Sequence, residues 1–157
     1  MELINAVLVG VAVFIFSQYF LKLILEPTIN FRKVLTDISH TLLYNQAKIA
    51  NAITGDKELP LNISELSARL RSTASLIPGY SFLSFIKIFG LPKKDNILIA
   101  CQELNLLSFG IKDLGEDQGD QAEKNDRSLK RIAELLQIET TYIEKVKMPQ
   151  QTHPPDG

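Results

Sequence analysis

Residues 3–25 read LINAVLVGVAVFIFSQYFLKLIL. Extended as a helix, this stretch is about 34 Å long, enough to cross a hydrocarbon core of about 30 Å with some tilt. Ala6 to Phe16 carries no polar side chain. Ser17 and Gln18 interrupt the run. Near its far end, Lys22 can snorkel to headgroups and Tyr19 suits the aromatic belt. A cleaved signal peptide needs a positive leader, a shorter apolar core and a small-x-small cleavage site. Glu2 is the only charged side chain before this core, and no such site follows it, so the stretch reads as an uncleaved anchor. A very apolar core helix is the other rival; extreme N-terminal position and length count against it.

Flanking charge suggests the orientation. Lys22, Arg32 and Lys33 follow the segment and no Lys or Arg precedes it. The positive-inside rule then places the N-terminus outside and the rest in the cytoplasm. Gln18, Lys22 and Glu26 share one face at i, i+4, i+8, and Ala6 and Gly10 form a small-xxx-small pair. Both features suit self-association of the helix. An interfacial Lys22–Glu26 pair and a chance small-residue spacing are the simpler explanation, since one small pair is a weak motif.

Working outward, Glu26-Pro27 marks the exit, where proline either opens a new helix or kinks a continuing one. The anchor and exit thus take residues 1–27, and the helical domain residues 28–147. Apolar spacing through Phe31, Val34, Leu35, Ile38, Leu42, Ile49 and Ile53 predicts a helix over 28–53, collinear with the anchor if Pro27 only kinks it. Gly55 to Leu61 reads as a loop. Asn62 with Glu65 gives a capping-box pattern opening a helix over 62–77, ended by Pro78-Gly79. That cap is the better reading of Asn62-Ile63-Ser64 than a glycosylation acceptor. Residues 80–91, YSFLSFIKIFGL, span only about 18 Å as helix, too short to cross a bilayer. A helix over 80–89 either forms core or lies in a membrane interface. Lys87 is its one charge, and Lys93 and Lys94 follow. Asp95 opens a helix over 95–112 that turns Cys101 to the core. Leu114 to Asp126 reads as a polar connection, 127–147 as a last amphipathic helix, and 148–157 as a disordered tail. No period-two pattern persists, so the fold class is all-α: one transmembrane helix and a small cytoplasmic bundle.

Composition narrows the chemistry. Seventeen basic residues balance eighteen acidic ones, so no global field draws nucleic acid, and none is expected as a partner. Single Cys101 precludes an internal disulfide and a thiolate zinc site. With only His40 and His153, a histidine-rich metal site is not available either. No phosphate loop, dinucleotide fingerprint, nucleophile elbow or HExxH pair occurs, and no catalytic, cofactor or metal residue is assigned. The nearest approach to a catalytic cluster is Asp37, His40 and Tyr44, at i, i+3, i+7 on one face of the long helix. A solvated polar face of an amphipathic helix is the better reading of that trio. Glu116, Asp117, Asp120 and Glu123 lack EF-hand alternation. Neighbouring acids balance Arg127, Lys130 and Arg131.

The stretches SQYFLKLILEPTINFRKVLTDISHTLLYNQAKIAN and LRSTASLIPGYSFLSFIKIFGLPKKDNILIACQELNLLSFGI cover most of residues 17–111. They resemble a set of uncharacterised bacterial single-pass membrane proteins, in which an apolar N-terminus meets a Lys-x3-Glu-Pro exit, here Lys22, Glu26 and Pro27. The resemblance implies a bacterial inner-membrane protein and supplies no activity or catalytic residues. Three functions are then open. One is a membrane-tethered helical interaction or scaffold module, with the bilayer and either itself or another protein as partners. Another is an oligomeric membrane-perturbing or pore-forming effector. The third is a membrane-bound enzyme.

Overall fold

The computed structural model describes residues 1–51, 57–86, 89–112 and 118–142. Among them there are helices and no strands. Helix α1 (Glu2–Phe20) runs through a π-helical turn (Leu21–Leu25) into α2 (Glu26–Tyr44), making one continuous rod. Pro27 explains the turn. Inside an α-helix its ring would collide with the carbonyl four residues back, that of Leu23, and its missing N–H would leave that carbonyl unbonded. Widening the coil there, with the Glu26 N–H reaching back to the Leu21 carbonyl, carries the chain past the obstruction without breaking it. Thr28, buried, donates its hydroxyl to the Ile24 carbonyl at 2.6 Å and ties the two halves.

The rod changes character along its length. Every residue from Met1 to Leu23 is exposed. From Phe31 onward, Val34, Leu35, Ile38 and Leu42 are buried on one stripe. The rod ends at Asn45, earlier than the expected 28–53, and a short α3 (Gln46–Ala50) follows. Asn45 leaves helical geometry with ψ 12°, and its side chain bonds the Thr41 carbonyl at 2.9 Å, the local bonding by which asparagine competes with helix. The break lets Ile49 turn inward, fully buried. Ile53 and Gly55 lie outside the described residues.

Helix α4 (Glu58–Ser75) starts four residues before the expected 62–77. Pro60 sits in the first turn, where a missing N–H costs nothing. Leu59 and Pro60 are both buried, and the Pro60 carbonyl accepts the Ser108 hydroxyl at 2.7 Å. Asn62 therefore lies inside the helix and no capping box forms. Helix α5 (Tyr80–Ile86) is shorter than 80–89. Gly79 and Gly90, with φ of 65° and 58°, supply the left-handed turns on either side of it. Helix α6 (Lys94–Lys112) begins one residue before 95, which puts Asp95 in its first turn rather than at its cap.

Helix α7 (Gln118–Leu136) departs furthest from expectation. It takes in much of the stretch read as a polar connection and stops well before 147. Three i, i+4 ion pairs, Asp120–Lys124, Glu123–Arg127 and Asp126–Lys130, line its exposed side. Each adds only about 0.2–0.5 kcal/mol, so packing decides. Leu129, Ile132 and Leu136 are buried, and buried Asn125 donates to the Ile49 carbonyl at 2.9 Å. The end is a Schellman turn without glycine. Gln137 takes φ 56°, and the Ile138 N–H reaches back to the Ala133 carbonyl. The chain then doubles back: Thr140, buried, donates to the Leu129 carbonyl at 3.0 Å. Ile143 and the tail 148–157 lie outside the described residues.

Cross-helix bonds set the directions. Ser108 meets Pro60, Ser64 meets Asn105, and Ser67 meets Cys101, so α4 and α6 are antiparallel. Arg69 on α4 pairs with Asp37 on α2 at 3.3 Å while Tyr44 lies beside Glu58 and Asn62, again antiparallel. Asn96 bonds the Leu135 carbonyl and Glu103 bonds Ser128, so α7 returns along α6. The result is an up-down-up-down bundle with the rod as its first helix and a single continuous core.

Candidate functional site

The register of the bundle picks out one end. Because α4 runs back along α2, its C-terminus arrives near Phe31. Tyr80, just beyond, packs edge-on against the Phe31 ring, centroids 5.8 Å apart. The elbow from Leu76 to Leu98, carrying α5 and the start of α6, thus caps the end of the bundle where the exposed apolar half of the rod departs. Ile24 packs partly against the core at the same end.

Helix α5 is two-sided. Tyr80 and Leu83 face the core. The Tyr80 hydroxyl donates to the Pro92 carbonyl at 2.8 Å, and burial raises its pKa. The opposite face carries Phe82, Phe85 and Ile86, 67%, 84% and 39% exposed. Of the two alternatives that the sequence offers for this segment, core and membrane interface, Tyr80 and Leu83 take the first, while Phe82, Phe85 and Ile86 are simply exposed. Leu76 and Leu98 add to the exposed apolar surface of the elbow. Neither belongs to the core stripe of its helix, and that off-stripe placement was the available signal for them. Lys93 and Lys94 are exposed at the start of α6. Beside them lies a cavity of about 560 Å³ lined by residues that include Arg71, Ser75, Ile77, Ser81, Lys94, Asp95 and Leu98.

The remaining sequence candidates sit elsewhere. Asp37 is engaged with Arg69 on the surface. His40 is exposed and stacks on exposed Tyr44, rings 6.1 Å apart and nearly parallel. The three share a face, yet Asp37 turns to Arg69, and the concavity beside Tyr44 is lined by Asn45, Lys48, Glu58, Leu59, Leu61, Asn62 and Glu65 without His40. Cys101 is buried; its thiol and the Ser67 hydroxyl each reach the other's backbone carbonyl, and desolvation raises the thiol pKa. Arg127, Lys130 and Arg131 are paired with Glu123, Asp126 and Glu103. Among the described residues no three His, Cys, Asp or Glu side chains converge as a metal site.

Two features therefore distinguish the molecule: a helix long and apolar enough to cross a membrane, none of its apolar window buried, and an apolar, partly basic elbow at the end where that helix leaves the bundle.

Proposed function

We infer the function from the chain's own sequence and geometry, because comparison with protein-family models, curated proteins and solved structures finds no match. We propose that the chain is a membrane-tethered helical interaction module. Its N-terminus lies outside a bacterial inner membrane and its bundle in the cytoplasm, where it binds protein partners. One observation carries this: a single rod is wholly exposed and apolar in its first half and builds the bundle core with its second. Burial of the first half in lipid satisfies its exposed surface, and Lys22, Arg32 and Lys33 favour the stated orientation. Because no flexible linker intervenes, the bundle is held in a fixed attitude to the bilayer, as a scaffold requires. Alkaline extraction of membranes from expressing cells, with protease protection of a C-terminal tag, tests it. Release into the soluble fraction, or digestion of the tag in intact spheroplasts, refutes it.

A second copy of the chain is the partner that one observation favours. Gln18 is exposed on the rod, and in a bilayer its amide would sit about 10 Å inside the Leu25 end. A polar side chain there gains by bonding across to another helix. Gln18→Cys is expected to crosslink to itself in membranes, while Phe16→Cys, at similar depth on the opposite face, does not. Equal crosslinking at both positions removes this reading.

A further inference from the structure

We propose that the elbow is a second, peripheral membrane contact: α5 lies in the headgroup layer with Phe82, Phe85 and Ile86 turned into the lipid. The inference rests on the anchored reading above and deepens it, naming the bilayer surface as the ligand of this face.

The placement follows from the register. Phe31 stands about 9 Å beyond Leu25 along the rod. The headgroup layer is about 5–8 Å deep on each side of the hydrocarbon, so Phe31 sits near its outer boundary. Tyr80 is in contact with Phe31. Tyr80 and Leu83 seal the end of the core, so the opposite face of α5 looks away from that end, along the direction in which the rod leaves. A helix with its side chains is about 10–12 Å across. The outward Phe82 and Phe85 thus reach roughly the level of Leu25, where the hydrocarbon begins.

The chemistry agrees with lipid rather than with water. Three large apolar side chains on one short helix, with Leu76 and Leu98 on the same elbow, leave exposed apolar surface at the end of the bundle from which the rod departs; Leu61, Leu106 and Phe109 are exposed as well, but at the far end. Helices with this division lie in the interface plane with the apolar face buried about 5–10 Å. Lys93 and Lys94, exposed at the next turn, and Arg71 at the adjoining cavity, supply the positive charge that anionic headgroups attract. Through the Tyr80–Phe31 contact the patch lies at the end of the bundle from which the anchor departs. A protein partner would have to fit between the bundle end and the bilayer to use it.

The sequence contains no tryptophan, which gives a clean test on the full-length chain. Phe85→Trp, Phe14→Trp and Tyr142→Trp are each reconstituted into vesicles of phosphatidylcholine and phosphatidylglycerol, with acyl chains brominated either near the headgroup or near the bilayer centre. Phe85 and Tyr142 are exposed, and circular dichroism confirms that the helices survive. Tyr142 is the aqueous control, because its N–H bonds Gln46, about 30 Å beyond Leu25 on the helical rise. The expectation is that Phe85→Trp is blue-shifted and quenched at least about threefold more by shallow than by deep bromine, consistent with a depth of about 5–10 Å. Phe14→Trp should show the reverse, and Tyr142→Trp no quenching. If Phe85→Trp is unquenched while Phe14→Trp is quenched, the elbow contact is wrong and the anchor stands. If Phe85→Trp is quenched as deeply as Phe14→Trp, α5 is inserted rather than interfacial and the inference also fails. If Phe14→Trp is unquenched as well, the anchored reading falls and takes the inference with it.

Discussion

Asn125 gives the sharpest test of how the bundle closes. It is 1% exposed. Its Nδ2 donates to the Ile49 carbonyl and its Oδ1 accepts from Gln121 Nε2, both at 2.9 Å. The first bond joins α7 to α3 across 76 residues of sequence. Asn125→Ala strands the Ile49 carbonyl in the interior, at a cost of about 1–3 kcal/mol. Gln121 is only half-buried and can turn to water, so it adds little. A central value of about 2 kcal/mol corresponds to a fall in Tm of roughly 8 °C for a domain of this size. Asn125→Leu separates bonding from packing: it fills the space yet still strands the carbonyl, so it should lose a similar amount. Asn125→Asp sets an oxygen against the Ile49 oxygen unless the new carboxyl keeps its proton and donates. Burial and that contact raise its folded pKa above the unfolded value of about 3.9. The folded state then holds the proton more tightly than the unfolded one. Its stability is greatest at low pH and is lost as pH rises through the folded pKa. Thermal melts of the full chain in detergent, followed by circular dichroism between about pH 4 and pH 8, measure all three. A Tm for Asn125→Ala within about 2 °C of the parent, or a pH-independent deficit for Asn125→Asp, would refute the reasoning.

Further expectations follow from the same geometry. Gln137→Gly should raise stability by about 0.5–1 kcal/mol, because Gln137 holds φ 56° and glycine pays no steric penalty there; urea titration checks the sign. Leu70→Ala, at a fully buried site on α4, should cost about 2–5 kcal/mol, whereas Phe85→Ser should stay within about 0.5 kcal/mol in detergent. Pro27→Ala removes the ring that the π-helical turn avoids. Reversion to an α-helix would turn the anchor by about 100° relative to the bundle, detectable as changed distances between spin labels on the two halves. Cys101 should resist alkylation in the folded chain and react on unfolding. Since burial raises its thiol pKa, its contribution to stability is complete below the unfolded value of about 8.5 and is lost as pH climbs through the folded one.

Several elements were legible from residue pattern. Phe31, Val34, Leu35, Ile38 and Leu42 recur at helical spacing because one face of that helix is wet, and those residues are the buried ones. Pro78-Gly79 marks the break between α4 and α5, although α4 itself ends at Ser75 and the left-handed Gly79 lies at the start of α5, where its carbonyl accepts from Phe82 and Leu83. Other readings failed where local preference yields to contacts from afar. Asn62 and Glu65 have the right spacing for a cap. The helix nevertheless begins earlier, since Leu59 and Pro60 gain more by burial than Asn62 gains by capping. The polar run before Arg127 carries no apolar stripe, yet Asn125 finds the Ile49 carbonyl and helix α7 forms around it. Gln137 bears none of the glycine signature of a helix stop, and the stop is held instead by Thr140 and the returning chain.

By itself, the amino-acid order determined the helical class and one N-terminal segment long and apolar enough to span a membrane, because both depend on periodicity and hydropathy along the chain. Tertiary structure alone decided where that segment stands relative to the bundle. Pro27 is absorbed by a π-helical turn instead of breaking the rod, so the apolar half and the core-forming half are one rigid element. Only antiparallel packing of α2 against α4 brings Tyr80 to Phe31 and turns Phe82 and Phe85 outward at the end where the rod leaves. Those residues are about fifty positions apart in sequence, and no local preference encodes their meeting; it follows from burying a shared core.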